Sequence, residues 1–401
     1  MKLPGSDWQE REGMRGLLAA LGAADGETRY VGGCVRDTLL GLAVSDVDLA
    51  TRIAPGEVMK RLRKAGIKAV PTGLAHGTVT AVLPDGPIEV TTLRRDVSTD
   101  GRRATVAYTD SWREDAARRD FTINALSADP GSGELFDYFN GLDDLEKRRI
   151  RFIGDAFTRI AEDHLRILRF FRFHARFGNG EPDRQGLEAC AARANDLMAL
   201  SRERIADELL KLLALPDPSS TIRLMVEHGI FRPVLPEIDL AAADRLAELV
   251  RKEAAAAVGP DGLRRLAALL PADPDTAASV AARLRLSNKA LKRLVSAASR
   301  SEADPADPQI LAYRIGRDEA VDRLLLSGGE DKVAGLADWE RPRLHIGGGD
   351  LIEMGLAAGP AVARTLQAVE QEWAEKGFAD DLEEQRLLAR RHVDQALRDN
   401  Q

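Results

Sequence analysis

Tyr30-Val31-Gly32-Gly33-Cys34-Val35-Arg36-Asp37 is followed, a short interval later, by Ser45-Asp46-Val47-Asp48-Leu49-Ala50-Thr51. The first stretch reads as a strand running into paired glycines and then a helix. Glycine lets backbone N–H groups approach a phosphate closely, and a helix N-terminus adds partial positive charge. Arg36, on the first helical turn, can complete an anion site. The second stretch reads as a strand on which Asp46 and Asp48 share one face while Val47 and Leu49 point into a core. Two adjacent carboxylates repel each other. A hard divalent cation with oxygen ligands neutralises them, Mg²⁺ when phosphates complete its shell. An isolated Asp-x-Asp is more commonly a pair of solvated acids. Here Asp46 stands nine residues after Asp37, so one segment supplies a phosphate cradle and metal ligands together.

Outward from this core, short β-like runs occupy Thr28–Val31, Val47–Thr51, Lys68–Pro71, Thr78–Leu83 and Ile88–Thr92. Turns containing Gly and Pro separate them, and helical stretches flank them near Arg11–Leu21 and Pro55–Ala65. That is a mixed α/β domain. Beyond about Leu145 the strand-like alternation disappears. Leu165, Leu168, Phe171 and Arg172 fall at helical spacing, as do Ile205, Leu209, Leu212 and Leu213. Ser201 is placed to cap the latter helix, and Pro216 with Pro218 to end it. Further breaks are expected near Gly259-Pro260, Pro271–Pro274, Pro305–Pro308 and Gly347–Gly349. The last of these, before Asp350, reads as a helix-entry turn, since no strand or lysine gives it the context of a phosphate loop. The chain is thus an α/β head followed by a long all-α remainder.

Composition bounds the partners. The chain has 401 residues, 44% hydrophobic and 30% charged, which suits several folded domains rather than a disordered protein. Its longest apolar runs fall far short of the ~18–20 residues of a membrane span, and its start lacks the apolar core of a secretory signal. Two cysteines, Cys34 and Cys190, make neither a disulfide framework nor a zinc cluster, so a reducing cytoplasm is expected. Aromatic residues make up only 5%, which argues against gripping single strands mainly by base stacking. The net charge is −7, yet residues 146–176 hold nine Lys/Arg against four acids. Such a stretch attracts polyphosphate or RNA, or forms a solvated helix face.

The glycine pair with Asp-x-Asp resembles the nucleotidyltransferase superfamily that includes DNA polymerase β, and more closely the bacterial-type tRNA CCA-adding enzymes and poly(A) polymerases. Four further motifs extend the resemblance, which covers residues 28–215. Arg118-Arg119-Asp120-Phe121-Thr122-Ile123-Asn124-Ala125 is similar to the family's sugar- and phosphate-contacting motif. Asp137-Tyr138-Phe139-Asn140-Gly141-Leu142-Asp143-Asp144-Leu145 looks like the hinge between head and neck. Glu162-Asp163-His164-Leu165-Arg166 looks like the Glu-Asp-x-x-Arg template that reads the base, and Ser201-Arg202-Glu203-Arg204-Ile205 like a helix start beyond it. The resemblance implies an α+β multidomain protein: a polymerase-β-like head over 1–145, then a helical neck (146–200), body (201–265) and tail (266–401). It also implies CCA addition to tRNA from CTP and ATP, with Asp46 and Asp48 as catalytic metal ligands for Mg²⁺. Gly33, Arg36 and Arg119 would hold the triphosphate and sugar, and the helical remainder would hold tRNA.

Asp163 and Arg166 also carry a physical rationale of their own. At i and i+3 on one helix they are neighbours, a carboxylate acceptor beside a guanidinium donor. That pair complements the amine-plus-acceptor edge shared by cytosine and adenine, but not guanine or uracil. Arg169 and Arg172 continue the face, and three arginines on one stripe point to nucleotide or phosphate contact. Glu89 is a candidate third carboxylate at the metal site, and His76 reads as a turn hydrogen-bonder. A poly(A) polymerase and a split CC- or A-adding enzyme share these motifs. The stretch Pro71–Thr80 resembles the CCA-adding branch, and the segment Arg94–Arg102 resembles an intact flexible loop, which favours full CCA addition. A catalytically idle RNA-binding scaffold is disfavoured by the intact Asp46, Asp48 and Arg36. No sequence pattern sets an oligomeric state.

Overall fold

The computed structural model describes residues 1–99 and 104–399. The chain divides into two compact units, Met1–Ala243 and Asp244–Gln401.

The first unit is built on a seven-stranded mixed sheet. Its strands are β1 (Thr28–Val31), β2 (Asp48–Thr51), β3 (Lys68–Gly73), β4 (Thr78–Leu83), β5 (Gly86–Thr92), β8 (Ser127–Ala128) and β9 (Leu135–Phe136), in the order β3-β4-β5-β2-β1-β8-β9. Every neighbouring pair is antiparallel except β2 and β5. β6 (Arg94–Thr99) and β7 (Ala104–Tyr108) form a separate hairpin. The expected runs at Thr28 and Thr78 match β1 and β4, and those at Val47, Lys68 and Ile88 differ from their strands by one or two residues. The short β8 and β9 and the hairpin have no counterpart among the expected runs. Of the expected loop segment, Arg94–Thr99 is strand, and Asp100, Gly101 and Arg102 lie outside the described residues.

Helix α1 (Met14–Ala20) precedes the sheet, α2 (Gly33–Leu39) leaves β1, and α3 (Pro55–Lys64) follows β2. Pro55 stands at the start of α3, where its missing N–H costs nothing. Then come α4 (Trp112–Ala117), α5 (Gly141–Glu146), α6 (Ala156–Glu162), α7 (Arg166–Phe177), α8 (Arg184–Ala192), α9 (Arg202–Leu213) and α10 (Ser219–Glu227). Asp155 and Asp183 accept N–H bonds that start α6 and α8. Ser201 occupies the cap position of α9 as expected, but its side chain accepts no capping bond.

An aromatic cluster packs α7 against the segment that follows α4. Phe170 stacks on Phe152 with ring centroids 5.6 Å apart, and Phe121 meets Phe173 at 5.1 Å. Phe121, Phe170 and Phe171 are fully buried. Gly186 of α8 lies against the Phe170 ring, where a Cβ would stand 2.7 Å from it. This core ties α7 and α8 to the segment after α4.

The second unit is helical. Gly259-Pro260 separates the helix Leu240–Ala255 from Gly262–Leu269, and the later helices Pro274–Arg283 and Pro308–Ile315 begin at prolines. Gly347 caps Gly348–Glu353, with its N–H donated to Asp350 Oδ2 at 2.7 Å. The four breaks expected from Gly and Pro all fall between α-helices or at their starts. None of the described helices is long and apolar enough to cross a membrane.

Replacing Phe170 with Ala empties the centre of the aromatic core and should lower stability by about 3–5 kcal/mol, measured by denaturant titration. A loss under about 1 kcal/mol would mean the cluster is not what joins α7 to the segment after α4.

Candidate active site

β2 begins at Asp48, and its parallel pairing with β5 sets Asp48 directly across from Glu89. The expectation that Asp46 and Asp48 share a strand is corrected in one respect. Asp46 lies in the irregular stretch before β2, where no partner strand reaches it. The alternation still runs through it: Val47 and Leu49 are buried, Asp46 is exposed and Asp48 half-buried. Burial raises the Asp48 carboxyl above its ordinary value, Glu89 adds to the rise, Arg119 opposes it, and Asp46 adds again. The three carboxylates are electrostatic neighbours rather than a closed cage. Among the described residues no three His, Cys, Asp or Glu side chains form a ready ligand shell. One half-buried carboxylate between two exposed ones, mutually repelling oxygen donors, fits a divalent cation that keeps other oxygens in its shell.

Beside them opens a cavity of about 380 Å³. Six of the seven residues expected to bind nucleotide line it: Gly33, Arg36, Arg119, Asp163, Arg166 and Arg169. Gly32, Asp120, Asn124 and Phe173 complete the lining. A larger cavity of about 640 Å³ lies in the second unit against Trp373 and Arg391. Size does not decide between them, because only the first combines converging guanidiniums with neighbouring carboxylates. Arg119 belongs to both features, lining the cavity and acting on Asp48.

Gly32 shows why the glycine pair is needed. Its φ of +71° lies in the left-handed region, and a Cβ there would stand 2.7 Å from Arg119 Nη1. Arg119 also donates from Nη1 to the Asn124 carbonyl at 3.3 Å and pairs with Asp115 at 3.5 Å. Arg36 is buried. Its Nε donates to Asp37 at 2.8 Å, Nη1 donates to Asn124, and its guanidinium lies 4.2 Å from the Phe177 ring centroid. Burial lowers its pKa, Asp37 opposing. It lines the cavity while holding α2 to the segment at Asn124.

The template pair departs from the sequence expectation. Asp163 and Arg166 do not share a helix. Asp163 is extended (φ −151°, ψ 105°) just past the end of α6, and Arg166 is the first residue of α7. They flank a tight junction in which the Arg166 N–H donates to the Asp163 carbonyl at 3.0 Å. Their side chains have separate partners. Asp163 accepts from Arg204 of α9 at 2.9 Å and from the Leu165 N–H at 3.1 Å, whereas Arg166 donates to Glu162 at 2.6 Å.

The arginine stripe divides. Arg169 forks onto Asp120 Oδ2 from Nε (2.8 Å) and Nη2 (2.5 Å) at the cavity wall. Burial alone would raise the Asp120 carboxyl; Arg169, with bonds from Asn124 and the Phe121 N–H, brings it below its usual value. Arg172 corrects the reading of three anion-binding arginines. It is not among the lining residues, and it donates to buried Glu208 of α9 at 2.5 Å, so packing occupies it. His76 ends a short turn whose carbonyl accepts from Arg94. Sequence reasoning missed Asp120, Asn124 and Arg204 as individuals, although each lies inside a motif it quoted. Nothing in the local pattern says which member of a motif faces a cavity.

Comparison with known proteins gives a consistent picture. The poly A polymerase head domain matches residues 28–151, and the probable RNA and SrmB-binding site of polymerase A matches residues 181–241. The chain is 34% identical over 409 residues to the mitochondrial CCA tRNA nucleotidyltransferase 1 of Mus musculus, covering 96% of this chain and 92% of the mouse protein. It is 41% identical over 213 residues to the CCA-adding enzyme of Oceanobacillus iheyensis, about half of each chain (53% and 52%). Its structure is similar to the Bacillus stearothermophilus CCA-adding enzyme in complex with CTP, with a TM-score of 0.74 and 26% identity, covering 96% of this chain and 99% of that one.

Gly32→Ala should cost about 1–2 kcal/mol of stability from left-handed strain alone, read by denaturant titration. It should also displace Arg119 and weaken binding of inorganic tripolyphosphate by calorimetry. Unchanged tripolyphosphate affinity would detach the glycine turn from anion binding.

Proposed function

The chain belongs to the CCA tRNA nucleotidyltransferase and poly(A) polymerase family, and on that premise we propose that it is a template-independent tRNA nucleotidyltransferase building or repairing the 3′ CCA of tRNA from CTP and ATP. The observation that carries this reading is the juxtaposition of Asp48, Glu89 and Asp46 with a cavity walled by Arg36, Arg119, Arg166 and Arg169. In the reaction the tRNA 3′ hydroxyl attacks the α-phosphorus, the bond to the β-phosphate bridging oxygen breaks, and pyrophosphate leaves. Bound Mg²⁺ would assist the attacking hydroxyl and offset charge on the leaving group, with Asp46 and Asp48 holding it and Glu89 beside them. Gly33 brings backbone N–H groups close to the phosphates. Arg119, and the part of Arg36 that faces the cavity, balance the triphosphate's charge. Arg169, anchored on Asp120, closes the wall. Asp163 accepts from the exocyclic amine of cytosine or adenine, and Arg166 donates to the neighbouring acceptor.

Functionally, residues 1–145 act as the catalytic head, 146–200 as the template-bearing neck, and 201–265 with 266–401 as body and tail that hold tRNA by shape and phosphates. The buried, unpaired Cys34 and Cys190 suit a reducing compartment, the cytoplasm. The mouse relative's name places that protein in mitochondria.

Incubation with tRNA lacking CCA and each labelled nucleotide separately tests the reading. C, C and A should be added in turn and no more. A run of A would assign a poly(A) polymerase, and arrest after CC a partial enzyme. Asp48→Ala should cut turnover by orders of magnitude, roughly several kcal/mol of transition-state stabilisation, with tRNA affinity nearly unchanged. Near-native incorporation by that variant would overturn the metal site. Asp163→Ala should reduce the preference for CTP over UTP and ATP over GTP by about 10–100-fold. Ratios equal to wild type would place base reading elsewhere.

A further inference from the structure

Arg159 lies on α6, outside the cavity lining, and its side chain is almost wholly buried. Its Nη2 donates to the carbonyl of Arg118 at 2.6 Å and also to the carbonyl of Arg119. Both carbonyls lie just past α4, where the helix leaves backbone acceptors without intrahelical partners. Its Nη1 donates to Glu162 Oε2. The same oxygen accepts from Arg166 Nη1 at 2.6 Å, and Arg166 Nη2 returns to the Arg118 carbonyl at 3.3 Å. Arg166 Nη1 also donates to the Arg159 carbonyl at 2.9 Å. The contacts close a ring: the Arg118–Arg119 backbone, Arg159, Glu162, Arg166 and back.

From this ring we infer that Arg159 is a positioning residue that sets the distance between the nucleotide's two holders, Arg119 on the phosphate side and Arg166 on the base side. The inference rests on the base-reading role proposed above for Asp163 and Arg166. The ring needs a planar fork with several donors, since one side chain must satisfy two carbonyls and a carboxylate in fixed directions. Lysine, a compact point charge, cannot span the three. Without the fork, Glu162 keeps only Arg166, the Arg119 carbonyl loses its donor, the Arg118 carbonyl keeps only the longer bond from Arg166, and the α6–α7 junction is free to shift against α4. The base edge and the phosphates would then no longer be held in one register. That change alters the choice among bases more than the grip on tRNA.

The test compares Arg159→Lys, Glu162→Gln and Asp163→Ala with wild type in single-nucleotide incorporation on tRNA ending before CCA, using all four NTPs. The readout is the CTP-over-UTP and ATP-over-GTP ratio of kcat/KM within one preparation. This ratio is insensitive to the fraction folded, so a purely structural role would leave it unmoved. Arg159→Lys should lower both ratios by about tenfold, in the range of one lost base-reading contact, with tRNA affinity within about twofold. Glu162→Gln preserves shape, keeps the protein assayable if the lysine variant fails to fold, and should lower the ratios several-fold. Wild-type ratios in Arg159→Lys and Glu162→Gln beside a lowered ratio in Asp163→Ala would overturn the brace and leave the base-reading assignment standing. Wild-type ratios in all three would overturn that assignment, and the brace with it.

Discussion

Two carboxylates forced side by side govern this molecule. The parallel pairing of β2 and β5 sets Asp48 against Glu89, with Asp46 at the strand entry, and burial raises the cost of charging Asp48. Folding alone would not set half-buried Asp48 beside two exposed carboxylates, since a fully solvated position would hold its charge more cheaply. Oxygen donors held this way suit a cation, which is why the proposed function assigns one to them. The rest of the first unit serves the same requirement: the left-handed Gly32 turn clears room for Arg119, and Arg119 offsets part of the negative field.

The cavity is lined by arginines that are structural as well as electrostatic. Arg36 is held by Asp37 and Asn124, Arg169 by Asp120, and Arg166 by Glu162. None is a free cation waiting for an anion. Partners that hold part of each guanidinium fix its remaining edge in direction before a ligand arrives, so less ordering is left to binding. Arginine suits this double duty because its rigid fork can bond protein on one side and ligand on the other. Arg172, one turn on, has the same chemistry and its partner in Glu208, but no cavity, and there the guanidinium only joins α7 to α9.

The second unit uses buried charge differently. Glu253 accepts from Arg264 and Arg265, all three nearly inaccessible, and Arg293 forks onto Asp322 while reaching Asp261. Burial pushes the Asp322 carboxyl up even though Arg293 and Arg264 hold it down. Such pairs add little net stability over apolar packing, but breaking one strands its partner. They fix how these short helices register on one another, while Trp373, Tyr313 and Phe378 fill a separate apolar core.

What was legible in the sequence was local. The strand-glycine-helix turn, the alternation of Val47 and Leu49 around the acids, and the Gly and Pro breaks between helices each follow from the conformations open to a few consecutive residues. The family motifs likewise lie in short runs, and six of the seven nucleotide-binding candidates named from them line one cavity. What the sequence could not carry was pairing at a distance. The sequence offers Glu89 as a candidate third carboxylate, but it is a parallel register 41 residues apart along the chain that sets it beside Asp48. Asp163 and Arg166, spaced like helix neighbours, instead straddle a junction, because α6 ends one residue before Asp163 and α7 starts at Arg166. Arg172 and Arg169 look alike in the stripe, and only the position of Glu208 on one side and Asp120 on the other separates them. Spacing along the chain determines which side chains can share a face; which of them meet a partner, and which a cavity, is decided by what the fold brings to the other side.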